Sequence, residues 1–495
     1  MSVEAAMRDA RAALQRGEAA KAEGMARLLL VQAPSGATYE LLAATLRRQD
    51  RLEEALAASD TAVRLDPNNV TAQHGRAQVL SRLGRFAEAV AIFDALVAGG
   101  VTAAPLWLNR GVALLGLTRT AEAEAAFADG VRRWPQDAGL QNALASVRWM
   151  TGAGEAFVQD YEAEVQRHPD ASTLRLGCAD LLRRADLRDR AEAMLREGLA
   201  REPNNAALQG ALGVVLDESD RTAEALPLLQ RAVAGAPGNA AARGNLIAAL
   251  LRLSRSDEAL ALRAPLRRAQ PYNGEWIAYE GMALKQKGDP RYHELFDYDL
   301  MVQPFDLPPP AGYATIEAFN AALREALDRL HVLETHPLDQ SLRGGSQTTR
   351  SLLTIDDPVI KHYVEALDAP VRAYIATMQK PNHPWSGRKT DNFKFAGSWS
   401  VKLKANGYHI NHLHPEGWIS SAYYVWLPEA TRSGEGREGW IKFGEPRWPT
   451  PGCTIEKLVQ PKEGRLVLFP SYMWHGTIPF SSGERMTAPF DIVPA

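Results

Sequence analysis

The sequence predicts a multidomain chain of mixed α and β class: an N-terminal α-solenoid followed by an antiparallel sandwich or jelly roll with flanking helices. Three observations predict it. Prolines and small residues recur with a period of 34 through the first 290 positions. Beyond about residue 392 the hydrophobic spacing changes from that of helices to that of short strands. Composition changes as well, since nine of the eleven histidines and seven of the eleven tryptophans lie past residue 290.

A length of 495 residues implies two or three domains, and an apolar content of 46% supplies ordinary cores. The formal charge of −3 gives no electrostatic case for nucleic acid or for an anionic membrane. Cys178 and Cys453 are the only cysteines, too few for a disulfide framework. No apolar run reaches the ~18 residues a membrane span needs, and the first residues carry no signal-peptide pattern. The expectation is a cytoplasmic protein with no membrane or nucleic-acid partner and an open oligomeric state.

The first element in chain order is the repeat. Pro34, Pro67, Pro135, Pro169, Pro203, Pro237 and Pro271 keep intervals of 34 or 68 after a first of 33, with Val101 at the skipped place. Ala55, Ala89, Ala123, Ala191, Ala225 and Ala259 form a second ladder, and Phe93 and Phe127 follow their alanines by four. Gly111, Ala179 and Gly213 mark a small-residue site in the preceding helix. Small residues let two helices approach, an aromatic fills the gap, and proline ends the second helix. This pattern resembles the tetratricopeptide repeat, about eight units over residues 2–288. One unit is irregular, with Phe157 at the place of its ladder alanine. Such a solenoid implies a protein or peptide partner in the repeat groove.

Repeat phase ends at Gly288-Asp-Pro290, and the proline-rich segment to Gly312 reads as a linker. The expected division is therefore 1–290 for the solenoid, 291–312 for the linker and 313–495 for a second domain. Ile316–Leu333 and Val359–Met378 read as amphipathic helices, and the polar, Gly-rich stretch 335–350 between them as a loop. Residues 392–495 carry the jelly-roll core. Its candidate strands are Phe393–Leu403, His409–Leu413, Trp418–Leu427, Trp440–Phe443, Ile455–Val459, Arg465–Phe469, Trp474–Ile478 and Arg485–Val493.

The chemistry-bearing residues lie in this last part. His412 and His414 are two apart in Tyr408-His-Ile-Asn-His-Leu-His-Pro415, so on an extended segment both face one way, about 7 Å apart. Two imidazoles on one face can hold a metal, and His475 in Phe469-Pro-Ser-Tyr-Met-Trp-His475 can close the site. Arg485 follows ten residues later and can grip a carboxylate with two charge-assisted hydrogen bonds.

The order of these parts resembles the 2-oxoglutarate- and Fe(II)-dependent oxygenases. The resemblance rests on His412-Leu-His-Pro-Glu-Gly-Trp-Ile-Ser420 with Tyr423-Tyr424, on the stretch ending at His475, and on Glu484-Arg-Met-Thr487. It implies a double-stranded β-helix with Fe(II) as metal and 2-oxoglutarate as cosubstrate. His412 and His475 would be iron ligands, Arg485 with Thr487 beside it would hold the far carboxylate, and Tyr424 would be a lesser cosubstrate contact. His409, out of phase with the pair, falls behind the ligands or on the surface. The family pattern has an aspartate where His414 stands. Three histidines, a water or another carboxylate remain open for that third position, and His414 is the candidate metal ligand. Two other functions compete: a cupin-type metalloenzyme, for which Glu416 is a poor glutamate ligand, and a repeat scaffold with no metal.

Overall fold

The computed structural model describes residues 2–495. They form two compact units, Met1–Val147 and Arg148–Ala495.

In the first unit helix pairs follow the proline ladder. Ala89, Ala123, Phe93 and Phe127 are all buried. A Cβ on Gly111 would lie 2.2 Å from the Phe127 ring, so only glycine lets these helices meet. The turns between paired helices keep the same period through both units. Asp50, Gly84, Thr118, Gly152, Asp186, Asp220, Ser254 and Gly288 all have positive φ.

The second unit begins with the irregular repeat. Phe157 is buried in the one-turn helix Gly154–Val158 and meets Trp149 edge-on at 5.3 Å. Regular pairs then resume with the helices Ser172–Arg184, Ala206–Glu218 and Ala240–Arg252, and the row closes on Gly274–Gln286. Asn205, Asn239 and Asn273 cap the last three, each accepting a backbone N–H of its own first turn.

The helix Gly274–Gln286 belongs both to the repeat row and to the domain C-terminal to it. Its Ile277 and Leu284 lie in the core that also holds Phe319, Tyr363, Trp418, Val425 and Leu468. Gly274 N–H donates to the Pro415 carbonyl at 2.6 Å, which pins the turn after His414. Side chains of the row also hold the segment Pro446–Pro451. Arg252 reaches the Pro449 carbonyl at 3.4 Å and Gln286 the Pro451 carbonyl at 2.9 Å.

The strands are β1 Gln303–Asp306, β2 Leu342–Gln347, β3 Phe393–Ser398, β4 Val401–His409, β5 Ile419–Trp426, β6 Ile441–Phe443, β7 Lys457–Val459, β8 Arg465–Pro470, β9 His475–Thr477, β10 Arg485–Thr487 and β11 Phe490–Pro494. All pairings are antiparallel. The larger sheet runs β1-β8-β5-β10-β4-β2, with β11 joining β3 and β5, and the smaller runs β7-β6-β9. This is a jelly roll, and its central strand β5 is buried along almost its whole length.

Several elements differ from expectation. The linker segment carries the short helices Arg291–Leu295 and Tyr298–Met301 as well as β1, which extends the sheet beside β8. The stretch expected as a loop contains β2, paired with β4. A Cβ on Gly345 would come within 2.2 Å of the Lys402 carbonyl oxygen, so the glycine that suggests a loop permits a close strand pair instead. The segment after His409 is not a strand. It bends at Asn411 and pairs through one bridge, between His412 and His475.

Candidate metal centre

Backbone pairing assembles the centre. His412 and His475 exchange N–H···O bonds of 2.9 Å each way, and His414 N–H donates to the Ser471 carbonyl at 2.9 Å. One imidazole nitrogen from each of His412, His414 and His475 lies within 4.8 Å of the others. Among the described residues no carboxylate joins this group, and Glu416 is exposed in the turn beyond it.

Each ring is oriented from behind. His412 Nδ1–H donates to the Ile410 carbonyl and His475 Nδ1–H to the Met473 carbonyl, both at 2.9 Å. His414 Nδ1–H donates to Asp491 Oδ2 at 2.6 Å, with Ser420 Oγ at 3.2 Å. Asp491 and Ser420 are register partners across β11 and β5. All three rings therefore keep Nε2 as the lone-pair nitrogen, the tautomer a metal ligand needs, and one has the carboxylate–imidazole backing that raises ligand basicity. Ser341 Oγ lies 3.2 Å from His412 Nε2 and 2.9 Å from His409 Nδ1. A single hydroxyl proton serves one of them, so turning it to His409 frees His412. His409 itself stacks on His412 with ring centres 5.9 Å apart and lines the same cavity.

Burial sets the charges. It holds the His412 pKa down at about 3, with the neighbouring His414 acting in the same direction. His475 is pushed well below its usual range by burial and then by His412 and His414. Burial also presses on His414, but Asp491 outweighs it and raises that pKa.

The three histidines line a cavity of about 420 Å³ together with Arg485 and Thr487. Arg485 is 3% exposed and its guanidinium lies 5.1 Å from the Tyr424 ring centre. Burial lowers its pKa, with Tyr424 opposing. Its Nε and Nη1 are buried and find no hydrogen-bond partner among the described residues, nor does the Tyr424 hydroxyl. Leaving such a donor unpaired costs about 1–3 kcal/mol, more for a charged group. A buried guanidinium lacking an anion, in one cavity with three metal-ready imidazoles, fits Fe(II) with a dicarboxylate cosubstrate. A cupin site gives Arg485 no such task.

All the site residues expected from the sequence meet here except Tyr424, which stands behind Arg485 rather than in the cavity lining. Ser341, Asp491 and Ser420 were not foreseen. Asp491 alternates in phase with Arg485 and Thr487 on the final strands, the one signal that pointed to it.

Fold and site together set three imidazoles and a buried arginine in a jelly roll that follows helical repeats. Residues 397–491 match the family described as "Putative 2OG-Fe(II) oxygenase". Residues 46–107, 108–172, 177–240 and 218–278 match tetratricopeptide repeat models. The chain thus carries tetratricopeptide repeats and a domain of that oxygenase family. No curated protein matches it. Among solved structures it is similar to a tetratricopeptide repeat protein from Parabacteroides merdae, at 19% identity and a TM-score of 0.35 over 50% of this chain and 98% of that one. It is also similar to the viral collagen prolyl hydroxylase of Paramecium bursaria Chlorella virus-1, at 16% identity and a TM-score of 0.26 over 39% of this chain and 95% of that one. No helix among the described residues is long and apolar enough to cross a membrane.

Proposed function

We propose that the chain is an Fe(II)- and 2-oxoglutarate-dependent dioxygenase that hydroxylates a side chain of a protein or peptide. One observation carries this reading: an Arg485 guanidinium whose Nε and Nη1 are buried and unpaired among the described residues shares one cavity with three imidazoles whose Nδ1 atoms are all engaged, which leaves Nε2 for a metal. In this proposal His412, His414 and His475 hold the iron through Nε2, and Asp491 keeps the His414 tautomer fixed. Arg485 binds the far carboxylate of 2-oxoglutarate with two parallel N–H donors, Thr487 lies beside it, and Tyr424 supports the guanidinium from behind. Bound Fe(II) and its cosubstrate supply the oxygen activation and C–H oxidation. The chain supplies geometry and a cavity walled by Trp399, Leu413 and Ile441.

The solenoid of residues 1–290 serves as the capture element, 291–312 as the connection and 313–495 as the catalytic part. Arg183 and Arg184, at the end of the repeat helix Ser172–Arg184, line the cavity, so a peptide held along the repeats can reach the histidines. Cys178 and Cys453 are free and buried, which supports a cytoplasmic setting within this proposal.

Anaerobic Fe(II) titration and 2-oxoglutarate calorimetry on the full chain test the reading. Charged hydrogen bonds contribute about 1.5–3 kcal/mol, so Arg485→Ala should weaken 2-oxoglutarate binding roughly ten- to hundredfold while iron binding holds. Arg485→Lys should restore only part, because it lacks the planar fork. Equal 2-oxoglutarate affinity in wild type and Arg485→Ala would overturn the assignment.

A further inference from the structure

The cavity has a second anion-seeking level, nearer its opening, that the cosubstrate does not use. Five arginines line it: Arg485 at depth, and Arg183, Arg184, Arg343 and Arg447 from three separate segments. Asp339 is the single acidic lining residue, and it forms no ion pair with Arg343 or Arg447 among the described residues. Two of these arginines are already neutralised. Arg183 holds Asp180 and Glu218 at 2.7 Å each, and Arg184 holds Asp180 at 2.7 Å. The other two lack a carboxylate partner. Arg343 donates only to the carbonyls of Gln340 and Leu342, at 2.9 and 2.8 Å. Arg447 is exposed and lies over the Trp448 ring at 5.1 Å.

A neighbouring cleft of about 320 Å³ shares Arg343 and Arg447 with the cavity and continues past Arg188 and Lys442. Arg188 is paired with Asp186 and Lys442 with Glu445, so apart from the deep Arg485 and the acidic Asp339 the charge left without an ion pair in both spaces is that of Arg343 and Arg447. Burial and the nearby Arg188 press the Arg343 pKa downward, against Tyr408, Asp186 and Glu218. A guanidinium in that position is stabilised by an incoming anion.

We propose that the substrate segment is acidic, a polypeptide stretch whose carboxylate side chains pair with Arg343 and Arg447 at the mouth of the histidine cavity. The proposal rests on the oxygenase reading for the oxidation of the captured segment, and on the unpaired arginines for capture itself. A polypeptide is favoured over nucleic acid by three features. The chain is net acidic. Repeat and sheet build the mouth jointly. Trp448, the indole under Arg447, is engaged by the guanidiniums of Arg188 at 5.2 Å and Arg447 rather than free for base stacking.

The test is fluorescence anisotropy on the full-length chain with labelled peptides of equal length. One carries Asp and Glu, one has them replaced by Asn and Gln, and one carries Lys. The acidic peptide should bind about tenfold or more tightly than its amide counterpart, and added salt should weaken it. Arg343→Gln combined with Arg447→Gln should lose most of that preference, while Arg447→Lys should keep most of it. Should the double variant not fold, the wild-type peptide series decides alone. Equal affinity for acidic and amide peptides overturns the proposal, and so does tighter binding of a single-stranded oligonucleotide. Displacement of the peptide by small dicarboxylic acids at comparable concentration also overturns it, because the mouth would then be a small-molecule site. Wild-type iron and 2-oxoglutarate binding are measured beside it. Failure there with the acidic preference intact removes the oxygenase reading and leaves this one; the converse removes only this one.

Discussion

Arg82 and Arg252 stand five periods of 34 apart and make the same bonds with different weight. Arg82 donates to the Arg47 carbonyl and to Asp50, each at 2.6 Å, from a side chain 45% exposed. Arg252 reaches the corresponding Asp217 carbonyl and Asp220, and pairs with Asp217 at 2.9 Å, but its side chain is only 7% exposed. The cause is the segment Pro446–Pro451, which places the Pro449 carbonyl over Arg252. A ladder that only links repeat to repeat in the first unit also anchors the jelly roll in the second. A repeat position therefore has a fixed geometry but no fixed energy; what covers it decides.

The largest way to break this contrast is truncation. Removing residues 1–147 should leave a chain that melts cooperatively and binds iron, because Arg148–Ala495 is compact by itself. Removing residues 1–290 should abolish both, since it strips Ile277 and Leu284 from the core and the Gly274 bond from the Pro415 turn. Calorimetric melting and iron titration read the outcome. A folded, iron-binding 291–495 fragment would mean that the last repeat helix is dispensable.

Next comes Arg252→Ala against Arg82→Ala. Breaking a buried ion pair leaves an uncompensated charge and costs about 3–5 kcal/mol, whereas an exposed pair contributes about 0–1 kcal/mol. Urea denaturation should show that gap, and similar losses at both positions would deny the covering segment its role.

That contrast also marks how far the sequence was legible. The solenoid follows from period alone, because most units repeat the same small-residue and proline positions. The histidine cluster was legible because histidines two apart, followed by a distal histidine and an arginine, keep their order along the chain. β1 was hidden by Pro304, which an edge strand tolerates, and β2 by Gly344 and Gly345, which sheet packing requires. The arginine mouth was not legible at all. Arg183 and Arg343 are 160 positions apart, and only the docking of a repeat helix on the jelly roll brings them to one cavity.

A smaller effect separates two glycines at the same repeat position. Alanine gains about 1 kcal/mol in helix propensity over glycine, while overpacking costs about 1–3 kcal/mol. At Gly111 the added Cβ would meet three atoms of the buried Phe127 ring between 2.2 and 2.6 Å, so Gly111→Ala should be clearly destabilising. At Gly213 the added Cβ would meet Leu229 Cδ2 at 2.7 Å and Cγ at 2.8 Å, a branched aliphatic side chain rather than a rigid ring, so Gly213→Ala should be less destabilising than Gly111→Ala. Reversed melting shifts would mean that the ring moves more readily than the leucine.

The smallest test sits at Gln286, the last rung of the ladder. Its Nε2 donates to the Leu251 carbonyl at 2.8 Å, the repeat bond, and to the Pro451 carbonyl at 2.9 Å, the docking bond. Its Oε1 accepts from Ser256 Oγ at 2.7 Å. Each neutral hydrogen bond contributes about 0.5–1.5 kcal/mol net, and the docking bond is exposed enough for water to replace part of it. Gln286→Ala should therefore cost about 1–2 kcal/mol of global stability, less than Arg252→Ala because no charge is stranded. Local opening should be the more sensitive readout. Amide hydrogen exchange should quicken in the segment Pro446–Pro451 while the core strands β5 and β8 keep their protection. The segment also receives Asn411 Nδ2 at the Pro446 carbonyl, 3.0 Å, one residue before His412. Loosening it should weaken iron binding slightly, and Gln286→Glu should do the same, since a carboxylate cannot donate to Pro451. Faster exchange spread evenly over the jelly roll would show that Pro446–Pro451 is not a separate latch but part of one cooperative core.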